Sequence, residues 1–166
     1  MIIKEMGGNI LDEFQKGTID VLIHGCNCFH TMGDGIARQI KDRYPQAFEV
    51  DVDESVHGSI YKLGNYTTAK IGDQEIVNAY TQYEPGSNFE YSALIKALVS
   101  LDTKYMIEGK IIGLPLIGCG IGGGNWEYVK KIINACMPDL KVIIVHYDSG
   151  IKDMGQTEID FKPQTT

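Results

Sequence analysis

Two glycine-rich segments of the sequence each follow an apolar run and precede a helical pattern. Gly33-Asp34-Gly35 comes after Val21–Ile23, and Gly118–Gly124, which holds five glycines, comes after Ile111–Ile117. A strand that ends in this way presents backbone N–H groups and a helix N-terminus at one point, and both attract an anion such as phosphate. Two such turns side by side could hold a diphosphate between them.

Three polar side chains around the first segment could do acid–base or positioning chemistry. His24 can transfer a proton near neutral pH, Asn27 can orient a hydroxyl group or a water, and Asp34 can act as a second acid or base. Each also has an ordinary structural explanation. His24 fits a buried histidine that bonds a carbonyl, Asn27 fits a turn residue, and Asp34 fits a carboxylate stabilised by a helix N-terminus. Both interpretations stay open at this point.

Apolar periodicity predicts strands that alternate with helices. The predicted strands are Ile2–Met6, Val21–Cys26, Tyr66–Ile71, Glu75–Ala79, Ile111–Ile117 and Val142–Val145. The predicted helices cover Ile10–Gln15, Ile36–Tyr44, Leu94–Tyr105 and Trp126–Cys136, and residues 49–58 should form an acidic surface helix or loop.

This alternation predicts an α/β three-layer sandwich with a mixed, mostly parallel central sheet. The strands Val21–Cys26 and Ile111–Ile117 should be adjacent and central, because their apolar residues face both sides. Ligands of such folds bind at the carboxyl ends of the strands, where both glycine segments lie.

Composition narrows the possible partners. The chain has 166 residues, 43% of them hydrophobic and 22% charged, as expected for one globular domain. The net charge of −7 argues against nucleic acid and membrane surfaces, which need basic patches. It does not exclude one small anionic ligand, because backbone N–H groups bind phosphate without a lysine.

Cysteine usage and the termini complete this picture. The four cysteines are Cys26, Cys28, Cys119 and Cys136, and their spacing completes no metal site, so we expect reduced thiols in a cytoplasmic protein. No signal peptide or membrane span is evident. We expect a monomeric domain over residues 1–148 without cofactor or metal, followed by a loosely ordered tail over residues 149–166, where apolar density falls.

Three motifs in order resemble the macrodomain family, and most closely its ADP-ribose-1″-phosphate phosphatase branch. The run His24-Gly25-Cys26-Asn27-Cys28, followed by Gly33-Asp34-Gly35-Ile36-Ala37 and Arg43-Tyr44-Pro45, resembles the family's first ligand loop and the helix after it. Leu114–Gly123, followed by Trp126-Glu127, resembles the diphosphate loop. Lys4–Ile10 is similar to the opening strand and turn. The resemblance spans roughly residues 1–148.

The resemblance implies a pocket for ADP-ribose. The ligand-binding residues that it implies are Gly8, Asn9, Ile10, Gly33, Gly35, Ile36, Gly118, Cys119, Gly120, Ile121, Gly122, Gly123 and Tyr147. Asn9 stands where the family has its adenine-binding aspartate, and Tyr147 is expected to stack on the adenine. Gly122 replaces a frequent aromatic residue, and Met32 replaces a histidine of viral macrodomains.

The activity implied is metal-independent removal of the terminal phosphate from ADP-ribose-1″-phosphate. His24 and Asn27 would carry most of the rate, with Asp34 assisting. The alternative is a non-catalytic reader of ADP-ribose or ADP-ribosylated protein, which would use the same pocket. A thiolate nucleophile at Cys119 is disfavoured because Asn125 stands where the Cys-x5-Arg pattern needs arginine.

Two further enzyme classes are disfavoured by single residues. ADP-ribosyl-glutamate hydrolases use a lysine after the strand Glu75–Ala79 and an aspartate in the second loop, and neither is present at Val77–Tyr80 or Gly120–Gly123. A dinucleotide-dependent dehydrogenase needs Gly-x-Gly-x-x-Gly, and here Gly33-Asp34-Gly35 is followed by Arg38 at the last position.

Overall fold

The computed structural model describes residues 1–147. Its elements, in chain order, are β1 (Ile2–Gly8), α1 (Ile10–Lys16), β2 (Val21–Cys26), α2 (Gly35–Arg43), α3 (Pro45–Glu54), a 3-10 turn (Ile60–Lys62), β3 (Tyr66–Ile71), β4 (Gln74–Tyr80), α4 (Tyr91–Tyr105), β5 (Ile111–Leu114), α5 (Trp126–Cys136) and β6 (Lys141–Tyr147). The tail predicted over residues 149–166 lies outside the described residues. No helix within residues 1–147 is long and apolar enough to cross a membrane.

The six strands form one sheet in the order β1-β6-β5-β2-β4-β3. Neighbouring strands are parallel except for β3 and β4, which are antiparallel. The mixed, mostly parallel sheet is therefore confirmed, and so are the adjacent, central positions of β2 and β5.

Helices cover both faces of the sheet, which confirms the three-layer sandwich. On one face α4 and α5 pack against β2 through Val21 and Ile23. On the other face α1, α2 and α3 pack against the same strand through Leu22. Since side chains of a strand alternate between faces, His24 and Cys26 point to the same side as Leu22. That alternation directs the histidine toward α3.

Two of the element boundaries that differ from the sequence prediction lie at prolines. The helix predicted over Ile36–Tyr44 ends one residue earlier, at Arg43, and Pro45 is the first residue of α3. Proline suits this first helical position because its missing N–H would have no partner there. The strand β5 ends at Leu114 and not at Ile117, since Pro115 offers no N–H and its carbonyl accepts from the Ile117 amide in a tight turn.

The two central strands separate before they end. The register between β2 and β5 covers only the pairs Val21–Ile112 and Leu22–Gly113, whereas β2 and β4 pair along their whole length. The chain after β2 turns onto one face of the sheet and the chain after β5 turns onto the other. A crevice at such a switch point is where open α/β sheets bind ligands.

Candidate functional site

A cleft of about 600 Å³ opens at this switch point, within the size range of small-molecule sites. Its walls come mainly from four segments, each at the end of a strand, with Gln39 of α2 and Asp51 of α3 added to them. The segments are residues 24–27 and 31–37 from the end of β2 onward, residues 81, 82, 85 and 86 after β4, residues 115–122 after β5, and His146 with Tyr147 at the end of β6. No lysine or arginine belongs to the lining among residues 1–147. An anionic ligand must therefore be held by backbone groups and neutral side chains.

The second loop, residues 115–124, is a tight glycine turn packed on Phe89. The amide of Gly124 donates to the Gly118 carbonyl at 2.7 Å, and Gly118 has a φ of +74°, which favours glycine. A Cβ at Gly118 would lie 2.3 Å from the Phe89 ring. Within the described residues no protein acceptor is found for the amides of Gly120, Ile121 and Gly122. These N–H groups are available to an anion.

The first loop, residues 27–34, supplies a second set of N–H groups. Helix α2 begins at Gly35, and the first amides of a helix have no acceptor within it. Asp34 occupies the N-cap position without bonding these amides, and its side chain is exposed at the cleft. The start of α2 and the second loop therefore line the same cleft, each with open donors, and diphosphate binding between them stays a prediction.

His24 lies at the inner wall of the cleft and is only 1% exposed. Its Nε2 is 2.7 Å from Asn78 Oδ1. The Asn78 amide nitrogen donates to the Ala47 carbonyl and to Thr67 Oγ1, so the oxygen must accept and His24 Nε2 must carry the proton. Nδ1 then holds the lone pair. Burial lowers the pKa of His24 to about 4, although the bond to Asn78 and the charge of Asp51 favour the protonated ring.

Asn27 shapes the first loop and lines the cleft. Its Oδ1 accepts from the Phe29 amide at 2.8 Å and its Nδ2 donates to Thr31 Oγ1 at 2.6 Å. The same loop holds His30 and Met32 with φ of 55° and 39°. A left-handed backbone conformation is uncommon for residues other than glycine, and at these two positions it bends the loop around the cleft.

Most of the predicted site residues meet in this cleft. Those that line it are His24, Asn27, Gly33, Asp34, Gly35, Ile36, Gly118, Cys119, Gly120, Ile121, Gly122 and Tyr147. Burial raises the pKa of Cys119 to about 11, which keeps its thiol protonated at neutral pH. All four cysteines are free thiols.

Gly8, Asn9, Ile10 and Gly123 are outside the cleft lining. Asn9 caps α1, with its Oδ1 accepting from the Leu11 amide at 2.9 Å and its Nδ2 donating to Gln39 Oε1. Ile10 is buried in the core. The contact of Asn9 with adenine stays a prediction.

Gln82 and Asp51 are among the lining residues that sequence reasoning missed. Gln82 donates from Nε2 to the carbonyls of Glu84 and Gly86, which fixes the loop after β4 and directs its Oε1 toward Gly122. Asp51 is 1% exposed and lies in α3, where the sequence predicted a solvated acidic segment. No local signal distinguishes Asp51, because acidic residues also stand at positions 49, 53 and 54.

Comparison with known proteins links the cleft to ADP-ribose chemistry. A family model described as "Macro domain" matches residues 23–133. An "Uncharacterized 17.5 kDa protein in tk-vs intergenic region" of Enterobacteria phage T4 is 37% identical, covering 89% of this chain and 98% of the phage protein. An "ADP-ribose 1″-phosphate phosphatase" of Lodderomyces elongisporus is 26% identical over 81% of this chain and 92% of its own length. A "DNA ADP-ribosyl glycohydrolase" of Mycobacterium tuberculosis is 29% identical over 81% of this chain but only 40% of its own length.

Solved structures show the same fold. The "Macrodomain of Thermus aquaticus DarG" superposes with a TM-score of 0.70 at 22% identity, covering 89% of this chain and 98% of that one. "Thermosipho africanus DarTG in complex with ADP-ribose" superposes with a TM-score of 0.63 at 16% identity, covering 81% of this chain and 39% of that one.

Proposed function

This chain belongs to the Macro domain family, and on that premise we propose that its cleft binds ADP-ribose and hydrolyses the terminal phosphate of ADP-ribose-1″-phosphate. One observation carries the proposal. Two loops with open backbone N–H groups line the same cleft, and the described lining contains no lysine or arginine that would replace them. Such paired donors suit a diphosphate.

The ligand then runs along the cleft with its two ends in different surroundings. The diphosphate lies between the start of α2 and the amides of Gly120–Gly122. Adenine lies toward Tyr147, whose side chain is more than half exposed at the end of β6 and can stack. Asn9 follows Gly8, the residue of β1 that pairs with Tyr147. The distal ribose lies toward Asn27 and the inner wall at His24.

Phosphate release needs a water that attacks phosphorus while the bond from phosphorus to the ribose oxygen breaks. The products are ADP-ribose and inorganic phosphate, because the water oxygen stays on phosphorus and the proton that the base removes from the water passes to the leaving ribose oxygen. Backbone donors neutralise the phosphate oxygens and Asn27 orients the distal ribose or the water. His24 can contribute only the Nδ1 lone pair at neutral pH, so it acts as a base, and Asp34 is the second base.

The non-catalytic reader is the second candidate function. It is favoured by the burial of His24 and by the engagement of both polar atoms of Asn27 within its own loop. A reader needs these residues only to shape the pocket. Both candidates predict ADP-ribose binding, and only the first predicts turnover.

The decisive experiment measures phosphate release from ADP-ribose-1″-phosphate together with calorimetric binding of ADP-ribose. We expect both with the wild-type protein. Tight ADP-ribose binding without phosphate release would support the reader. No binding of ADP-ribose would contradict both candidates. An ADP-ribosylated oligonucleotide, the substrate class suggested by the name of the mycobacterial relative, completes the substrate panel; the net charge of −7 predicts weak binding to DNA.

A further inference from the structure

A buried carboxylate forms part of the inner wall of the cleft. Asp51 lies on α3 beneath the first loop, and its Oδ1 receives three hydrogen bonds. The donors are Tyr80 OH at 2.6 Å, Lys62 Nζ at 3.2 Å and Ser55 Oγ at 3.2 Å. Lys62 is itself buried, so the pair is shielded from water and its charges compensate each other.

The second oxygen of Asp51 is differently placed. All hydrogen bonds found for this carboxylate within residues 1–147 fall on Oδ1. Asp51 as a whole is almost inaccessible to solvent. Its Oδ2, which has no protein donor within residues 1–147, nevertheless keeps a small accessible surface. Asp51 lines the cleft, and Oδ2 is its carboxylate oxygen without a described protein donor, which makes it the oxygen available to a ligand there.

The surroundings of this atom define what it can bind. An ionised carboxylate accepts hydrogen bonds and donates none. It repels a phosphate and attracts a hydroxyl or N–H donor. The nearby wall is formed by His24, whose ring is neutral, and by Cys26 and Asn27. The cationic partner, Lys62, sits on the opposite oxygen, so it does not compete for Oδ2.

A purely structural ion pair is the ordinary explanation for Asp51 and Lys62, since buried pairs are often retained without any ligand role. A structural pair, however, gains most when both carboxylate oxygens are satisfied by protein groups. Here three donors converge on one oxygen, and the other is left toward a cavity that holds ligand-sized volume.

We propose that Asp51 Oδ2 is the polar anchor at the inner end of the cleft and accepts a hydrogen bond from a hydroxyl of the ligand's terminal ribose. The inference rests on the proposed function and adds a specificity to it. The inner end selects a neutral sugar diol, and a terminal phosphate must point away from Asp51 toward the glycine loops. Asp51 thereby fixes the ribose for reaction without itself bonding the phosphate.

The substitution Asp51→Asn tests this assignment because it exchanges acceptor for donor at one atom. The amide oxygen is needed by Tyr80, Ser55 and Lys62, so the amide nitrogen must take the place of Oδ2. We expect the affinity for ADP-ribose to fall about ten- to a hundredfold, as for loss of a hydrogen bond to a charged group. ADP, which lacks the terminal ribose, should bind Asp51→Asn as it binds the wild type.

Two companion variants keep the test interpretable. Asp53→Asn removes a charge from an exposed position of the same helix and should change neither affinity. The double variant Asp51→Asn with Lys62→Met removes the ion pair as a unit, so it leaves no unpaired buried cation if the single variant unfolds. It should show the same selective loss of ADP-ribose binding.

The outcomes separate this inference from the proposed function. An equal loss of affinity for ADP-ribose and for ADP in a folded Asp51 variant would show that the Asp51–Lys62 ion pair is only structural, and it would overturn the inference. Unchanged binding of both ligands would overturn it as well. A wild-type protein that binds neither ligand would overturn the proposed function, and the inference with it.

Discussion

His24 enters the folded protein as a neutral ring because its site excludes water. Its pKa falls from 6.5 to about 4 on folding, so between these values the unfolded chain binds more protons than the native one. Stability from this residue is therefore complete above pH 6.5 and is lost as the pH falls toward 4. The shift corresponds to about 3 kcal/mol.

A comparison of wild type with His24→Gln isolates this effect from the carboxylates that also titrate. We expect the wild-type free energy of unfolding to fall by about 2–3 kcal/mol more than that of the variant between about pH 7.5 and about pH 4.5. Urea unfolding at the two pH values measures it. Parallel losses in the two proteins would show that His24 is not buried as a neutral ring.

The same variant tests catalysis. If Nδ1 of His24 is the base, His24→Gln should lower phosphate release by at least about a hundredfold, the lower range of acid–base contributions, while ADP-ribose affinity stays unchanged. Release from Asp34→Asn, measured beside it, should fall less. Near-wild-type release from His24→Gln would instead assign the base to Asp34.

At the scale of the elements, the glycines of the second loop have separable roles. Gly118 combines a φ of +74° with a Cβ position 2.3 Å from the Phe89 ring, whereas Gly120 has open space at its Cβ position and lines the cleft. The first is needed to fold the loop and the second to leave room for a ligand.

We therefore expect Gly118→Ala to lower the free energy of unfolding by more than about 1 kcal/mol. Gly120→Val should leave thermal stability nearly unchanged and abolish ADP-ribose binding, because its branched side chain lies over the open amides. Thermal melting and calorimetry on both variants check this. Full affinity in a folded Gly120→Val protein would move the ligand away from this loop.

Sequence patterns predicted the elements better than the polar contacts within them. The bounds of β2, β3 and α5 agree with the prediction because alternation or helical spacing continues unbroken through them. The pattern predicted an acidic surface helix or loop over residues 49–58 and missed the start and the burial of α3, because α3 packs on β3 and β4 and bonds Lys62, all of which follow it in the chain. Asp51 looked solvated for the same reason. The end of β5 before Pro115 was not predicted, because the apolar residues Leu116 and Ile117 continue the strand pattern beyond the proline.

The whole molecule carries a net charge of −7, and the described cleft lining contains no lysine or arginine, so the proposed anionic ligand would be held by backbone dipoles and neutral side chains. Added salt weakens an ion pair and would therefore lower the affinity for a ligand held by one. An anionic ligand and an acidic protein instead repel each other at long range, and added salt weakens that repulsion. We expect ADP-ribose affinity to stay level or rise slightly from about 50 to about 500 mM NaCl. Calorimetry at several salt concentrations measures the trend, and a marked fall would reveal a cationic contact.

The early separation of β2 from β5 leaves an opening at this point of the sheet, and the proposed ligand would occupy it. The paired register of β2 with β5 stops at Leu22–Gly113 and β5 itself ends at Leu114, so within residues 1–147 the last part of β2 has no paired strand on that side. Amide hydrogens there should exchange with deuterium faster than those at Val21 and Leu22 in the free protein. When ADP-ribose occupies the gap, the same amides should become protected while those of β3 do not change. Exchange along a single strand would then report whether the cleft is filled, independently of any reaction.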